Sequence, residues 1–190
     1  MSARPFVRIT AATAAEICAC FGLKKEAQPL LREGMEPGEF AEALLEGKQY
    51  LTGIDFMAHT LPVRAAVWWG SLCLQHASGD NLSEADKAAC RAAVQWIFCP
   101  SEDNAAAALA PAQAAGPASP AAGLARAVYQ AGGNIAPPYA PPTAPPPSAP
   151  AQAVAAAVKM ACAKAEPAKI VETQRLFLDL AMGMAEGRFE

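Results

Sequence analysis

The sequence predicts an all-α fold: a single helical domain of about seven to eight helices, spanning residues 1–190, with a proline-rich extended strap at 136–150. Three observations lead there. Apolar residues recur at i, i+3, i+4 and i+7 through most of the chain. Proline, glycine and serine punctuate that pattern at helix-start and helix-stop positions. The hydrophobic fraction is 53%, much of it alanine, so helices are expected to approach closely through small side chains.

The elements follow in order. Phe6-Val7-Arg8-Ile9 alternates and reads as a short extended arm. Thr10 or Thr13 caps a first helix that runs to about Gly22, a good residue just past a helix end. Residues 24–35 read as irregular, broken by Pro29 and Gly34. Pro37 fits the first position of the next helix, where its missing N–H is no loss, and Phe40, Ala43 and Leu44 line one face as far as Gly47. Ile54, Met57, Ala58 and Leu61 form the stripe of a helix packed on one side. Pro62 must break it, because an interior proline removes a hydrogen bond and clashes with the preceding turn. Val63, Ala66, Val67, Gly70 and Leu74 give the next face, closed at Gly79-Asp80-Asn81.

Ser83 with Asp86 resembles a capping box, opening a helix that carries Ala89, Ala93, Trp96 and Ile97 until Pro100 stops it. Ser101, Glu102 and Asp103 start a short alanine helix. Ser119-Pro120 opens another, with Leu124 and Val128 inward and Gly132-Gly133 at its end. Prolines then dominate residues 136–150, a composition that favours polyproline II. A free linker has no need of Ile135 and Tyr139, so a strap partly docked on the helices is the preferred reading. Val154, Val158, Ala161 and Cys162 mark a further helix, and Pro167 begins the last, with Ile170, Phe177, Leu178 and Ala181 inward.

Charge and composition narrow the function. Net charge is −3, and Lys24-Lys25 is the densest basic pair, which disfavours nucleic acid as a partner. No segment approaches the roughly 20 apolar residues of a membrane span. The first residues lack a basic segment followed by an apolar run, so a cytoplasmic location is expected. Charged residues are 17%, below the usual figure of about 25%, a hint of surface covered by a partner. Cys18, Cys20, Cys73, Cys90, Cys99 and Cys162 include no Cys-x-x-Cys pair and read as structural thiols. No phosphate loop, nucleophile elbow or metal-ligand spacing occurs, so no enzyme activity, cofactor or metal is expected.

The densest run of costly residues is Ile54 to Trp69. It holds two of the three tryptophans and one of the two histidines. Asp55 and His59 are four apart and can pair on one helix face; with Arg64 beyond the proline they have the makings of a polar cluster. The plainer role is to fix the angle between the helices on either side of Pro62. Trp68 and Trp69 point about 100° apart, so one is expected in the core and the other at the boundary, where an indole makes a binding hot spot. The candidate partner-binding residues are therefore Asp55, His59, Pro62, Arg64, Trp68, Trp69 and Tyr139.

Phe56-Met57-Ala58-His59-Thr60-Leu61-Pro62 followed by Ala66-Val67-Trp68-Trp69 resembles the core motif of an uncharacterised bacterial domain family that runs FLAHALP, a short basic stretch, then AVWW. Gly132-Gly133-Asn134-Ile135-Ala136-Pro137-Pro138, with the prolines to Pro147 and the helix from Ala153 to Val158, is similar to a second, more compositional segment of that family. Thr60 stands for a small alanine, and Ala65 where an acidic residue is expected. The resemblance implies an accessory protein of type VI secretion, a non-enzymatic adaptor or co-chaperone whose partner is an effector chaperone or an effector. An immunity protein binding a toxin directly, or a structural scaffold, is the alternative.

Overall fold

Small side chains decide how the helices meet. In the computed structural model, which describes residues 5–9, 11–79, 81–132 and 148–188, every regular element is a helix. The α-helices are α1 (Ala14–Cys18), α2 (Pro37–Glu46), α3 (Tyr50–Thr60), α4 (Val63–Ser78), α5 (Glu84–Phe98), α6 (Glu102–Ala107), α7 (Leu109–Ala115), α8 (Pro120–Ala131), α9 (Ser148–Ala163) and α10 (Ile170–Ala185). Two short 3-10 turns, Gln28–Leu30 and Pro167–Lys169, join them. Among the described residues, 8 helices reach seven residues or more, which agrees with the count read from the sequence.

Helix α9 lies at the centre, packed against α8, α4 and α3. It can do so because its inward positions are Val154, Val158, Ala157 and Ala161. A methyl group on Gly123 of α8 would stand 2.9 Å from the Cβ of Ala157, so the two helices touch almost backbone to backbone. Gly70 of α4 is similarly crowded by Leu124, and Gly53 of α3 by Leu178. The large residues Phe40, Phe56, Trp69 and Phe177 fill the space left between α2, α3, α4 and α10.

Local chemistry sets the ends. Thr13 caps α1 in a full box with Glu16. The helix stops at Cys18, short of the expected Gly22: Cys20 and Phe21 donate to Ile17 and Cys18, a tighter three-residue pattern, and the Phe21 ring turns aside to stack on His59 at 5.1 Å. Pro37 takes the first position of α2 as expected. Pro111 explains the division of the alanine segment into α6 and α7, since it offers no N–H to the carbonyl of Ala107. Residues 148–150 correct the strap boundary. Ser148, Ala149 and Pro150 form the first turn of α9, where a proline is tolerated, and Pro150 is buried there. The rest of the strap segment, with Tyr139 and Ile135, lies outside the described residues.

Asp86 does more than cap. The Ser83 hydroxyl accepts from the Asp86 N–H at 3.1 Å and donates to its carboxylate at 2.8 Å, while the Ser119 hydroxyl donates to the other carboxylate oxygen. The starts of α5 and α8 are thus tied through one side chain. Partial burial raises the Asp86 pKa, but the hydrogen bonds from Ser119 and Ser83, with Lys164 nearby, outweigh it and hold the carboxyl below its ordinary 3.8. A depressed folded-state pKa contributes stability above the unfolded value and loses it as pH falls through the folded one. Acid unfolding of Asp86→Asn, followed by circular dichroism, is therefore expected to be flatter below the ordinary aspartate range than that of the wild type. Parallel acid profiles would contradict the tie.

Burial also governs the thiols. Cys73 on α4 is pushed well above the ordinary range by burial and by the neighbouring Cys162 of α9, and burial brings Cys162 itself to about 11. Cys18 is pushed to about 11 by burial and by Cys20. A protonated, enclosed thiol is a poor nucleophile. Alkylation of the native protein at pH 8 is expected to modify the exposed Cys20 and Cys99 first, with Cys18, Cys73 and Cys162 reacting only on unfolding. Mass spectrometry of timed samples reads this, and early modification of Cys73 would contradict it.

Candidate docking groove

Pro62 separates α3 from α4 and so sets where α4, one wall of the site, begins. Leu61, which precedes it, is held extended at φ −76°, ψ 142°, as a residue before proline must be, and α4 starts one residue later. Arg64, in the first turn of α4, then reaches across to α5. Its Nε donates to the carbonyl of Ile97 at 2.6 Å. That carbonyl belongs to the last turn of α5, where carbonyls lack helical partners and a positive charge is favourable. The Arg64 residue as a whole stays exposed at the edge of the same region.

Between α4 and α5 runs a groove of about 890 Å³. Its α4 wall carries Ala65, Trp68, Leu72 and Gln75; its α5 wall carries Cys90, Val94, Ile97 and Phe98; Pro62, Arg64 and Arg8 line it as well. The surface is largely apolar. Phe98 is 79% exposed and Val94 40%, unusual for residues of that kind on one rim.

The two tryptophans separate as the helix geometry requires. Trp69 is fully buried, and its indole N–H donates to the Phe177 carbonyl of α10 at 2.8 Å. Trp68 is half-buried and forms part of the groove wall.

The polar cluster expected from Asp55, His59 and Arg64 does not form. The Asp55 carboxylate pairs with Lys159 of α9. The His59 ring nitrogen Nδ1 lies 2.8 Å from the backbone carbonyl of Asp55, which can only accept, so Nδ1 carries the hydrogen. The reason lies in direction: Asp55 looks towards α9, His59 towards Phe21, and Arg64 towards the end of α5. Asp55 thus joins α3 to α9, while His59 and Trp69 are buried, so these three stand behind the exposed face and not on it. Tyr139 lies outside the described residues. Of the residues singled out in the sequence, the groove brings together Pro62, Arg64 and Trp68. Sequence reasoning missed Arg8, Val94 and Phe98. Phe98 carried a faint signal: a phenylalanine in the last turn before Cys99-Pro100, out of phase with Ala93, Trp96 and Ile97.

Among the described residues, no group of three or more His, Cys, Asp or Glu side chains is placed to hold a metal ion, and no helix is long and apolar enough to cross a membrane. The molecule is thus an all-helical domain with an open apolar groove along two of its helices. The chain belongs to DUF6931, a family of unknown function, whose profile matches residues 40–185. That span begins inside α2 and ends with α10, so it includes both groove helices and leaves out Arg8. No curated protein and no solved structure matches the chain.

Proposed function

We propose that this chain is a non-enzymatic protein-binding adaptor or co-chaperone of the cytoplasm, which assists effector loading in type VI secretion by docking a larger effector chaperone or effector. The observation that carries the docking half is the α4–α5 groove, with Trp68 in its wall and Phe98 standing out from its rim. Contiguous exposed apolar surface is disfavoured on a protein that meets only water, and it gains free energy when covered. The secretion half rests on the resemblance of the Phe56–Trp69 motif. Trp68 serves as the anchor, Pro62 lines the groove at the start of α4, and Arg64 holds the end of α5 in place.

The test is co-purification from the native host with the product of the neighbouring gene. Trp68→Ala and Phe98→Ser are expected to abolish it while leaving the helical circular dichroism and the melting temperature within a few degrees of wild type. Undiminished co-purification with both variants would remove the docking reading. Rescue of toxin-poisoned cells by the chain alone would replace the co-chaperone role with immunity.

A further inference from the structure

Part of the groove lining belongs to no helix. Arg8 lines it together with residues of α4 and α5, and Arg8 sits in the arm of residues 5–9. That arm is held by α10. Where α10 ends, the N–H groups of Gly187 and Arg188 donate to the carbonyls of Met184 and Gly183, the usual closure around a left-handed residue, and Gly187 has φ +75°. The closure leaves the carbonyl of Ala185, among the last four of the helix, to donors from elsewhere. It accepts from the N–H of Val7 at 2.8 Å and from the N–H of Arg8 at 3.1 Å. Gly187 makes room for the arm as well: a Cβ there would stand 3.2 Å from Val7 Cγ2.

This hold is slight beside that of the helices. Two amides share one acceptor, Phe6 and Ile9 are only partly buried against the core, and Val7 is 66% exposed. The two groove helices are fixed from behind, α4 by Val67 and Trp69 and α5 by Ala93 and Trp96, all buried. Local opening costs least free energy where few apolar contacts are buried, and lids over binding sites are drawn from such segments. Of the elements that line the groove, the arm is the one that can leave without unpacking the core.

Resting on the docking reading above, we infer that residues 5–9 are a lid on the α4–α5 groove, latched on the end of α10 through Ala185 and Gly187. With the latch closed, the arm covers part of the surface to which Trp68 belongs. With it open, more of that surface is offered to a partner. The site is thus controlled from a junction outside the two groove helices.

Gly187→Val in the full chain tests this, because a β-branched residue is strained at φ +75° and its Cβ crowds Val7. Hydrogen exchange at the Val7 and Arg8 amides reads the latch. Acrylamide quenching of tryptophan fluorescence reads the groove, since Trp69 and Trp96 are buried and Trp68 is the half-buried indole. The expected result is exchange at least tenfold faster at both amides and a quenching constant about twofold higher, the rise disappearing when Trp68→Phe is added. Val7→Pro removes one latch donor and leaves α10 untouched; it is expected to speed exchange at Arg8 and to raise quenching in the same way, should Gly187→Val fail to fold. Faster exchange with unchanged quenching would overturn the lid and leave the docking reading standing, which co-purification decides separately. Unchanged exchange in both variants would overturn the latch. A rise in quenching that survives Trp68→Phe would overturn the inference too, by showing that the core has loosened and not the arm.

Discussion

Trp69→Ala is expected to destabilise the domain by about 3–5 kcal/mol, the range for removing a large aromatic from a packed core. A domain of ordinary stability has only about 5–15 kcal/mol in hand, so much of the folded population is at risk. The loss has two sources. Trp69 is fully buried where α4 meets α10, and its N–H donates to the Phe177 carbonyl. Trp69→Phe separates them. A mid-helix carbonyl keeps its own helical donor, so the phenylalanine variant strands no acceptor and is expected to lose only about 1–2 kcal/mol. Its neighbour behaves differently. Trp68 is half-buried in the groove wall, so Trp68→Ala is expected to stay within about 1.5 kcal/mol of wild type. Urea unfolding of the three variants measures the order. Equal losses for the two alanine variants would contradict the division of the pair into core and surface.

Gly123→Val is expected to have an effect of similar size through the opposite cause. A Cβ there meets the Ala157 Cβ at 2.9 Å, with the Ala157 Cα at 3.4 Å and the Ala153 carbonyl oxygen at 3.5 Å behind it. None of these can rotate away, so α8 and α9 must part, and overpacking of this kind is destabilising by about 1–3 kcal/mol before the two γ-methyls of valine are counted. Gly123→Ala is the instructive control. Alanine improves helix propensity by about 1 kcal/mol over glycine, which offsets part of the clash. A net loss of about 0–2 kcal/mol is therefore expected for alanine and about 3 kcal/mol or more for valine. Thermal melts read the difference, at roughly 2–4 °C per kcal/mol for a chain of this size. A valine variant as stable as wild type would contradict the close approach of the two helices.

The range of an interaction along the chain decides whether the amino-acid sequence makes it legible. Helix starts are legible where a side chain satisfies the backbone at short range: Thr13, Ser83, Ser101 and Ser119 all cap the helices that follow them, and Pro37 and Pro120 take first positions. The end of α1 is not, because the stacking of Phe21 on His59 is a long-range contact that local spacing does not encode. The same limit governs the site. One indole inside and one at the boundary follows from about 100° per residue, but which is which depends on α10 supplying the Phe177 carbonyl, 108 residues away. Asp55 and His59 look like partners along the helix, yet it is Lys159 of α9 that pairs with the Asp55 carboxylate. Arg8, Val94 and Phe98 join Trp68 only when the arm, α4 and α5 come together.

The central claim, that this molecule works by covering the α4–α5 groove with a partner, is tested most directly by site-specific photocrosslinking in the native host. A benzophenone side chain replaces Val94 on the groove rim in one strain and the exposed Arg175 of α10 in another. The account predicts that irradiation at position 94 captures one protein, that position 175 does not, and that Trp68→Ala abolishes the capture. Crosslinks from position 175 to the same protein with none from position 94, or capture at 94 that ignores Trp68, would contradict it.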